Sequence, residues 1–241
     1  LFYDWINYLI NKIKKRISIL NRTLQTKKSS YSFGGCDLLI NYLFKNKKKG
    51  FYLDIGCQHP TFNNNTYLLF KRGWSGINID LDRKNIDLFD IARPKDINIC
   101  SCVSSDLGEK DFFYFHEGSP INTLERKTLL NKDNYLKKKI KTNTLNNILD
   151  QLNKIQEIDY MNIDVEGHEM SILNAFDIDK YKPSVISVEF IDFKMKKLEL
   201  KYNNIERVID SNLYKFLTNQ NYNFINWSHS DLIFAHDNFR D

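Results

Sequence analysis

The sequence is poor in the features that mark membrane-spanning and secreted proteins. It contains no long run of uncharged apolar residues, and its first residues lack the charged, apolar and small segments of a secretory signal peptide. Its four cysteines, Cys36, Cys57, Cys100 and Cys102, lack the paired spacing of zinc ligands and do not resemble the disulfide framework of a small secreted domain. We therefore expect reduced thiols and a cytoplasmic protein without a membrane-spanning helix.

Phosphate-binding loops are also absent. A dinucleotide is held by the backbone amides of a G-x-G-x-x-G loop that follows a strand. Here the glycine at position 56 is followed by the letters CQHP, and no P-loop motif occurs in the chain. The sequence therefore excludes the common pyrophosphate and triphosphate sites.

The chain contains enough apolar material for one α/β domain. It has 241 residues, of which 42% are hydrophobic and 14% are aromatic. The formal net charge of +5 is concentrated in residues 1–28, where seven basic residues accompany one acid, so the remainder is nearly neutral. We therefore expect two parts, a basic amphipathic N-terminal helix at residues 1–28 and one domain at residues 29–241.

The N-terminal segment combines an apolar stripe with a basic face. Its apolar residues recur at helical spacing: Phe2, Trp5, Ile6, Leu9, Ile10, Ile13, Ile17, Leu20 and Leu24. Such a helix can pack on its own domain, pair with a second copy in a homodimer or contact a membrane surface peripherally, and these interpretations stay open. RNA binding is a further alternative, although basic faces are usually only solvated.

Apolar runs alternate with helical patterns from residue 51 onward, which favours parallel βαβ units. The predicted strands are residues 51–55, 76–80, 97–103, 159–164 and 184–190. The predicted helices are residues 65–72, 83–91, 144–154, 168–176 and 196–219. Residues 111–117 are predicted as an extra strand, and residues 221–227 and 231–237 as a final antiparallel pair around a polar turn. The basic runs 46–50 and 137–140 are interpreted as solvated edges.

Acidic residues stand at most of the predicted strand ends. Asp54, Asp80, Asp164 with Glu166, and Glu189 follow four of the five apolar runs. In an open parallel sheet, ligands bind beyond the carboxyl ends of the strands. S-adenosylmethionine suits such a site because it has no phosphate, carries a cationic sulfonium and offers a ribose diol to a carboxylate. Asp80 has a spacing close to that of a ribose-binding acid, which lies roughly 20 residues past the glycine loop.

Several segments around these acids resemble a known family. GFYLDIGCQHPTFNNNTYLLFKRGWSGINID, RPKDINI, IDYMNIDVEGHEMSILNAFD and KPSVISVEF are similar to the FkbM family of S-adenosylmethionine-dependent methyltransferases. The resemblance runs from Ser32 to Phe190, and D-V-E-G-x-E is its most specific part. It implies a Rossmann-like class I methyltransferase fold, with a mostly parallel seven-stranded sheet whose last strand is antiparallel. It also implies methyl transfer to an oxygen, typically a hydroxyl of a sugar, a polyketide or a similar metabolite, as in glycan biosynthesis.

The resemblance also implies which residues contact the cofactor. These residues are Asp54, Gly56, Cys57, Asn65, Thr66, Asp80, Leu81, Val103, Ser104 and Asp164. Among them, Asp80 is expected to bind the ribose, and Val103 with Ser104 to lie where the chain passes the adenine. Glu169 completes the D-V-E-G-x-E motif.

Methyl transfer to an unactivated hydroxyl needs alignment of the two reactants and a group that accepts a proton. Asp164 is predicted to face the cofactor or the substrate, and either Glu166 or His168 to be the general base. His59 is a further candidate. Asp164, Glu166 and Glu189 could converge as hard oxygen ligands, but oxygen methylation can proceed without a metal, so we predict no metal.

Two other classes of function stay open. An RNA methyltransferase would share the fold, but the N-P-P-[YFW] type of motif is absent and basic residues do not interleave with aromatic residues after position 28, so we expect no nucleic acid. A non-catalytic scaffold would be expected to have lost Asp54 or Asp80, and both are present. The acceptor is predicted to be a glycan, a sugar nucleotide or another small molecule, with residues 104–140 as the roof of its pocket.

Overall fold

The computed structural model describes residues 2–129, 134–152, 157–190 and 205–239. The chain divides into two compact units, residues 1–30 and residues 31–241. The first unit is one helix, α1 (Phe2–Thr26), which follows the amphipathic pattern of the sequence. The second unit is an α/β domain.

The second unit alternates strands and helices along the chain. Its strands are β1 (Phe51–Ile55), β2 (Ser75–Asp80), β3 (Ile97–Cys100), β4 (Cys102–Val103), β5 (Gly108–Tyr114), β6 (Leu136–Asn143), β7 (Tyr160–Ile163), β8 (Val185–Glu189), β9 (Tyr222–Ser228) and β10 (Asp231–His236). Its α-helices are α2 (Cys36–Leu43), α3 (Tyr67–Lys71), α4 (Arg83–Ala92), α5 (Leu145–Gln151), α6 (Glu169–Ala175), α7 (Ile178–Tyr181), α8 (Ile205–Ile209) and α9 (Asn212–Asn219). A 3-10 helix spans Arg126–Leu129.

Seven strands form one sheet in the order β3-β2-β1-β7-β8-β10-β9. The pairs from β3 to β8 are parallel, whereas β10 is antiparallel to both β8 and β9. The predicted mostly parallel sheet with an antiparallel last strand is therefore confirmed. The chain runs outward from β1 to β3 and then returns to β7 on the other side of β1. This reversal opens a crevice at the carboxyl ends of β1 and β7, where ligands of open α/β sheets bind.

Helices cover both faces of this sheet, because successive side chains of a strand point to opposite faces. In β1, Leu53 packs in the core that includes Leu149 of α5 and Leu173 of α6. Tyr52 points the other way, into a second core with Ile40 of α2. Burial on both faces explains why these strands appear as continuous apolar runs in the sequence.

Short polar side chains begin several helices by accepting a hydrogen bond from the first helical turn. Asp82 accepts from Lys84 N before α4, Thr144 from Asn147 N before α5, and Ser211 from Tyr214 N before α9. Such a cap typically contributes about 1 kcal/mol. The cap at Ser211 separates α8 from α9, so the prediction of one helix over 196–219 is wrong from residue 205 onward. Its first part, 196–204, lies outside the described residues.

Two strand predictions also need correction. The predicted strand 97–103 is interrupted at Ser101, because β3 pairs with β2 whereas β4 pairs with β6 in a separate three-stranded sheet, β4-β6-β5. The basic run 137–140, interpreted as a solvated edge, belongs to β6. Its Lys137 and Lys139 bind Asp111 of β5 at 2.7 and 2.8 Å, so cross-strand ion pairs replace the apolar alternation that marks most strands. The extra strand predicted at 111–117 is β5 and ends at Tyr114.

Candidate functional site

A cavity lies at the carboxyl ends of β1, β2 and β7, in the crevice where the strand order reverses. About 760 Å³ of empty space lies in and in front of it, including open solvent. Seven residues that the sequence singled out line it: Gly56, Asp80, Leu81, Val103, Asp164, Glu166 and His168. The segment that was predicted as a roof contributes Ser119, Pro120, Asn122, Thr123 and Leu124. We call residues 115–129 the lid.

Asp80 ends β2 at the wall of the cavity and is 7% exposed. Its Oδ1 accepts hydrogen bonds from Asp82 N (2.8 Å) and Asn85 Nδ2 (3.1 Å), and its Oδ2 accepts one from Gln58 N (2.9 Å). Burial raises the pKa of Asp80, although these three donors favour the carboxylate. A carboxylate has about four acceptor positions, so Oδ2 keeps one for a ligand.

Gly56 allows the end of β1 to approach the chain that leaves β7. Its φ of +77° lies in the left-handed region, and a Cβ at this position would lie 1.7 Å from the carbonyl oxygen of Asp164. Only glycine satisfies both conditions. The glycine is therefore required by backbone packing, and it also forms part of the cavity wall.

The loop after β7 is tightly turned. Glu166 and Gly167 both have left-handed backbones, with φ of +55° and +94°. Glu169, the first residue of α6, stabilises the turn because its Oε1 accepts hydrogen bonds from Val165 N (3.1 Å) and Gly167 N (2.9 Å). A non-glycine residue in this region of the Ramachandran plot is strained, and such strain is concentrated at functional sites.

His168 connects this loop with the lid. Its Nδ1 lies 2.8 Å from Glu125 Oε1, and its Nε2 lies 2.8 Å from Ser104 Oγ. Because a carboxylate only accepts hydrogen bonds, we assign the proton of the neutral imidazole to Nδ1. Nε2 is then an acceptor that faces the hydroxyl of Ser104. The sequence did not single out Glu125, although it lies in the segment that was predicted to cover the pocket.

Three carboxyl groups converge at the carboxyl ends of β7 and β8. One ligand atom each of Asp164, Glu166 and Glu189 lies within 4.8 Å of the others. Burial raises the pKa of both Asp164 and Glu189, and Asp164 hydrogen-bonds Glu189. Three oxygen donors suit a hard cation such as Mg²⁺, so the absence of a metal stays a prediction.

Five predicted cofactor residues lie outside the cavity wall: Asp54, Cys57, Asn65, Thr66 and Ser104. Asp54 shares the face of β1 with Tyr52, away from the Leu53 core, and is fully buried. It accepts hydrogen bonds from Asn64 Nδ2 (3.0 Å), Thr66 Oγ1 (2.8 Å) and Asn162 Nδ2 (2.9 Å). Its carboxylate therefore holds the loop after β1, and its contact with the cofactor stays a prediction.

The other residues outside the wall have similar structural roles. Cys57 packs with Ile86 and Phe89 of α4, and Asn65 Nδ2 donates to the side chain of Asn162 at 2.9 Å. His59, the additional candidate for a base, accepts hydrogen bonds from backbone amides of its own loop through Nδ1. Ser104 is buried and acts on the site through its bond to His168.

Arg93 organises the same loop and was not predicted. It is fully buried, and it donates to Thr66 Oγ1 and Asn64 Oδ1 at 2.8 Å and to the carbonyl oxygen of Pro60 at 3.1 Å. A buried guanidinium needs its donors satisfied, and this loop supplies the acceptors. The quoted segment RPKDINI begins at this residue, which was the available signal.

Comparisons with known proteins agree with this geometry. The family model of the methyltransferase FkbM domain matches residues 54–224, a range that includes the end of β1, all of β2 and β7, and the lid. Neither a curated protein nor a solved structure matches the chain significantly. The family match covers well over half of the chain and confirms the resemblance found in the sequence. The chain therefore belongs to the FkbM family of methyltransferases.

Proposed function

We propose that the protein is an S-adenosylmethionine-dependent O-methyltransferase of the Rossmann-like class I fold. Its acceptor would be a hydroxyl of a sugar, a glycan or a related small metabolite. The observation that carries the proposal is the pairing, in one cavity, of the Asp80 carboxylate with a histidine that a second carboxylate orients. The strand order, with β10 antiparallel between β8 and β9, supports this class of fold.

The residues of the cavity fit S-adenosylmethionine, which when bound supplies an electrophilic methyl group on a sulfonium. Asp80 keeps an acceptor position for a ribose hydroxyl. Leu81, Cys102 and Val103 form an apolar wall beside it that suits a purine. The loop after Gly56 offers no phosphate cradle, and this cofactor needs none.

The acceptor hydroxyl must lose a proton, and we assign its uptake to His168 Nε2. Glu125 holds the proton on Nδ1, so Nε2 is the basic nitrogen, and the charge of Glu125 stabilises the imidazolium that forms. The lone pair of Nε2 becomes free for the acceptor hydroxyl when the Ser104 hydroxyl turns away from it. Ser104 donates to the neutral ring and, after rotation of its hydroxyl, accepts from the protonated one. Glu166 also lines the cavity and is the alternative base.

The lid side of the cavity supports a hydroxylated acceptor. Ser119, Asn122 and Thr123 bring hydroxyl and amide groups to the wall, and Pro120 and Leu124 add apolar surface beside them. Pockets of this mixed kind bind small molecules by fixing a few polar groups against an apolar wall. A sugar ring, with hydroxyls at its edge and apolar faces, has the same mixture.

Calorimetric titration with S-adenosylmethionine tests the proposal. We expect the wild-type protein to bind it and Asp80→Asn to bind it about 10- to 100-fold more weakly, because a hydrogen bond to a charged acceptor is lost. Asp87→Asn is the matched control, since Asp87 is an exposed residue of the neighbouring helix α4 and does not line the cavity.

Two outcomes would contradict the proposal. Failure of the folded wild-type protein to bind S-adenosylmethionine would favour a non-catalytic scaffold. Equal affinities of wild type and Asp80→Asn for S-adenosylmethionine would contradict the assignment of Asp80 to the ribose. If binding is found, methyl transfer to a panel of hydroxylated acceptors tests the reaction itself.

A further inference from the structure

Helix α1 presents two chemically different faces along its 25 residues. At 3.6 residues per turn, one broad face carries most of its large apolar residues: Phe2, Tyr3, Trp5, Ile6, Leu9, Ile10, Ile13, Ile17, Leu20 and Leu24. Asp4, Asn11, Lys15 and Arg22 lie near the middle of the opposite face, and Tyr8 and Ile19 lie outside the stripe. A single helix cannot bury its own stripe, so another surface must cover it.

Basic residues border this stripe on both sides. Lys12 and Arg16 lie along one margin next to Trp5, and Lys14 lies along the other margin next to Tyr3. Asp4 is the single acid of residues 1–28. Long basic side chains at the margins of an apolar face can extend their charges away from it. The helix therefore complements a surface that is apolar in its interior and negatively charged at its boundary.

A second copy of the helix is a poorer complement. The spacing of Ile6, Ile10, Ile13, Ile17, Leu20 and Leu24 would fit the seam of a coiled coil. Two such helices would bring together their basic margins without acids to pair with them. Trp5, Leu9 and Phe2 would also lie beside the seam rather than in it. Charge complementarity therefore favours an anionic partner over a copy of the same chain.

We propose that α1 lies in the plane of an anionic lipid bilayer surface, with its apolar stripe among the acyl chains and its basic margins at the lipid headgroups. A strong amphipathic pattern, low overall hydrophobicity, flanking basic residues and a Trp on the apolar face are the properties of such interfacial helices. In the described part of the chain, no helix is both long and apolar enough to cross a bilayer. The helix therefore binds the surface and does not span it.

Vesicle sedimentation of the full chain tests this proposal. We expect binding to vesicles of phosphatidylcholine mixed with phosphatidylglycerol, weaker binding at high salt and much weaker binding to phosphatidylcholine alone. Ile13→Asp should lower the partition constant about a hundredfold, because it places a charge in the middle of the stripe. Asn11→Asp is the matched control, with the same charge change on the opposite face, and should lower it roughly fivefold.

Trp5 provides a readout that does not depend on these variants. Brominated lipids should quench part of the protein fluorescence in the wild type, and Trp5→Phe should abolish that part. Failure to bind anionic vesicles, equal loss in the two Asp variants or absence of Trp5 quenching would each overturn the proposal. A dimer in sedimentation equilibrium that Ile13→Asp dissociates, without vesicle binding, would assign the stripe to a second copy instead.

Discussion

Asp54 and Asp80 both lie in neighbouring strands of the same sheet, yet they have different roles. Asp54 is enclosed by three side-chain donors, is fully buried and lies outside the cavity wall. Asp80 is the last residue of its strand and takes two of its three hydrogen bonds from backbone amides. Both side chains point to the same face of the sheet, because Asp54 is paired with Asn78 and Asp80 follows two residues later. The difference lies in where each strand ends: Asp80 is the last residue of β2 at the cavity wall, whereas Asp54 lies one residue before the end of β1 and is hydrogen-bonded by the loop that follows.

The Glu125–His168 pair gives a prediction at the scale of single residues. In the proposed reaction, Glu125→Gln should lower kcat about 10- to 100-fold and leave the Kd of S-adenosylmethionine unchanged, because the amide holds the ring but no longer stabilises the imidazolium. His168→Gln should lower kcat further. Steady-state kinetics and calorimetry on the same preparations measure both quantities.

Glu117→Gln is the control for this prediction, since Glu117 is an exposed lid residue. A Glu125→Gln enzyme with wild-type kcat would remove the positioning role of Glu125. A parallel loss of cofactor affinity and kcat would assign it to the structure of the lid instead.

The sequence predicted those site residues whose position follows from strand order alone. Asp80, Asp164, Glu166 and His168 follow apolar strands, and parallel strands bring their ends together. Glu125 could not be assigned, because its contact with His168 depends on the path of a loop that carries no periodic pattern. The contact of Asp54 with the cofactor stays a prediction. Its burial under side-chain donors could not be predicted, because these come from the loop after β1 and from Asn162 of β7, which is distant in the sequence.

At the scale of elements, the lid is attached to the loop after β7. Thr123 Oγ1 donates to the carbonyl oxygen of Glu166 at 2.9 Å, and Glu125 binds His168. The 3-10 helix then packs against Gly167, where a Cβ would lie 2.6 Å from Thr128 Cγ2. These contacts predict that the two loops open together, so a disturbance of the β7 loop should be detected in the lid.

Gly167→Ala tests this coupling. Its φ of +94° and the contact with Thr128 both oppose a side chain, so we expect a loss of about 1–3 kcal/mol in the free energy of unfolding. Faster proteolysis within the lid should accompany it. Urea denaturation and limited proteolysis measure the two effects.

Gly108→Ala is a suitable control, because the nearest atom to its added Cβ would be 3.7 Å away. We expect that variant to stay close to the wild type. Unchanged lid proteolysis in a destabilised Gly167→Ala protein would show that the two loops open independently.

Sequence patterns predicted the strands of the large sheet but not strand β6. The strands of the large sheet are buried on both faces and were found as apolar runs. Strand β6 was missed because its residues LKKKIKTN are mostly exposed and carry no clear apolar alternation, and two of its lysines bind Asp111 of β5. The sequence pattern does not show these ion pairs, because they form between β6 and β5 only in the folded sheet.

At the scale of the whole molecule, several carboxyl groups are buried near the carboxyl ends of the parallel strands β7 and β8. Burial raises the pKa of Glu169 to about 7 and that of Asp231 to about 7, well above their ordinary values. The folded protein therefore binds protons that the unfolded chain releases between about pH 4 and pH 7. Their contribution to stability is present below this range and is lost as the pH rises through it.

Glu169→Gln should weaken the dependence of the free energy of unfolding on pH. Its amide oxygen can still accept from Val165 N and Gly167 N, but it carries no charge, so we expect a gain on the order of 1–3 kcal/mol at pH 8 relative to wild type and little change at pH 4. Denaturation curves across this pH range measure it. Glu109→Gln, at an exposed position of β5, should leave the slope unchanged, and an unchanged slope in Glu169→Gln would contradict the argument.

The acidic lining of the cavity also bears on how the protein would clear its site between turnovers. Asp80, Asp82, Asp164 and Glu166 line it, and no lysine or arginine does so among the residues described there. Such a wall attracts a cation. Once a sulfonium gives up its methyl group it becomes a neutral thioether, so the spent molecule loses the attraction that held its precursor. The spent cofactor keeps the ribose and purine contacts proposed above, so the loss of charge is what would favour its exchange for a fresh molecule.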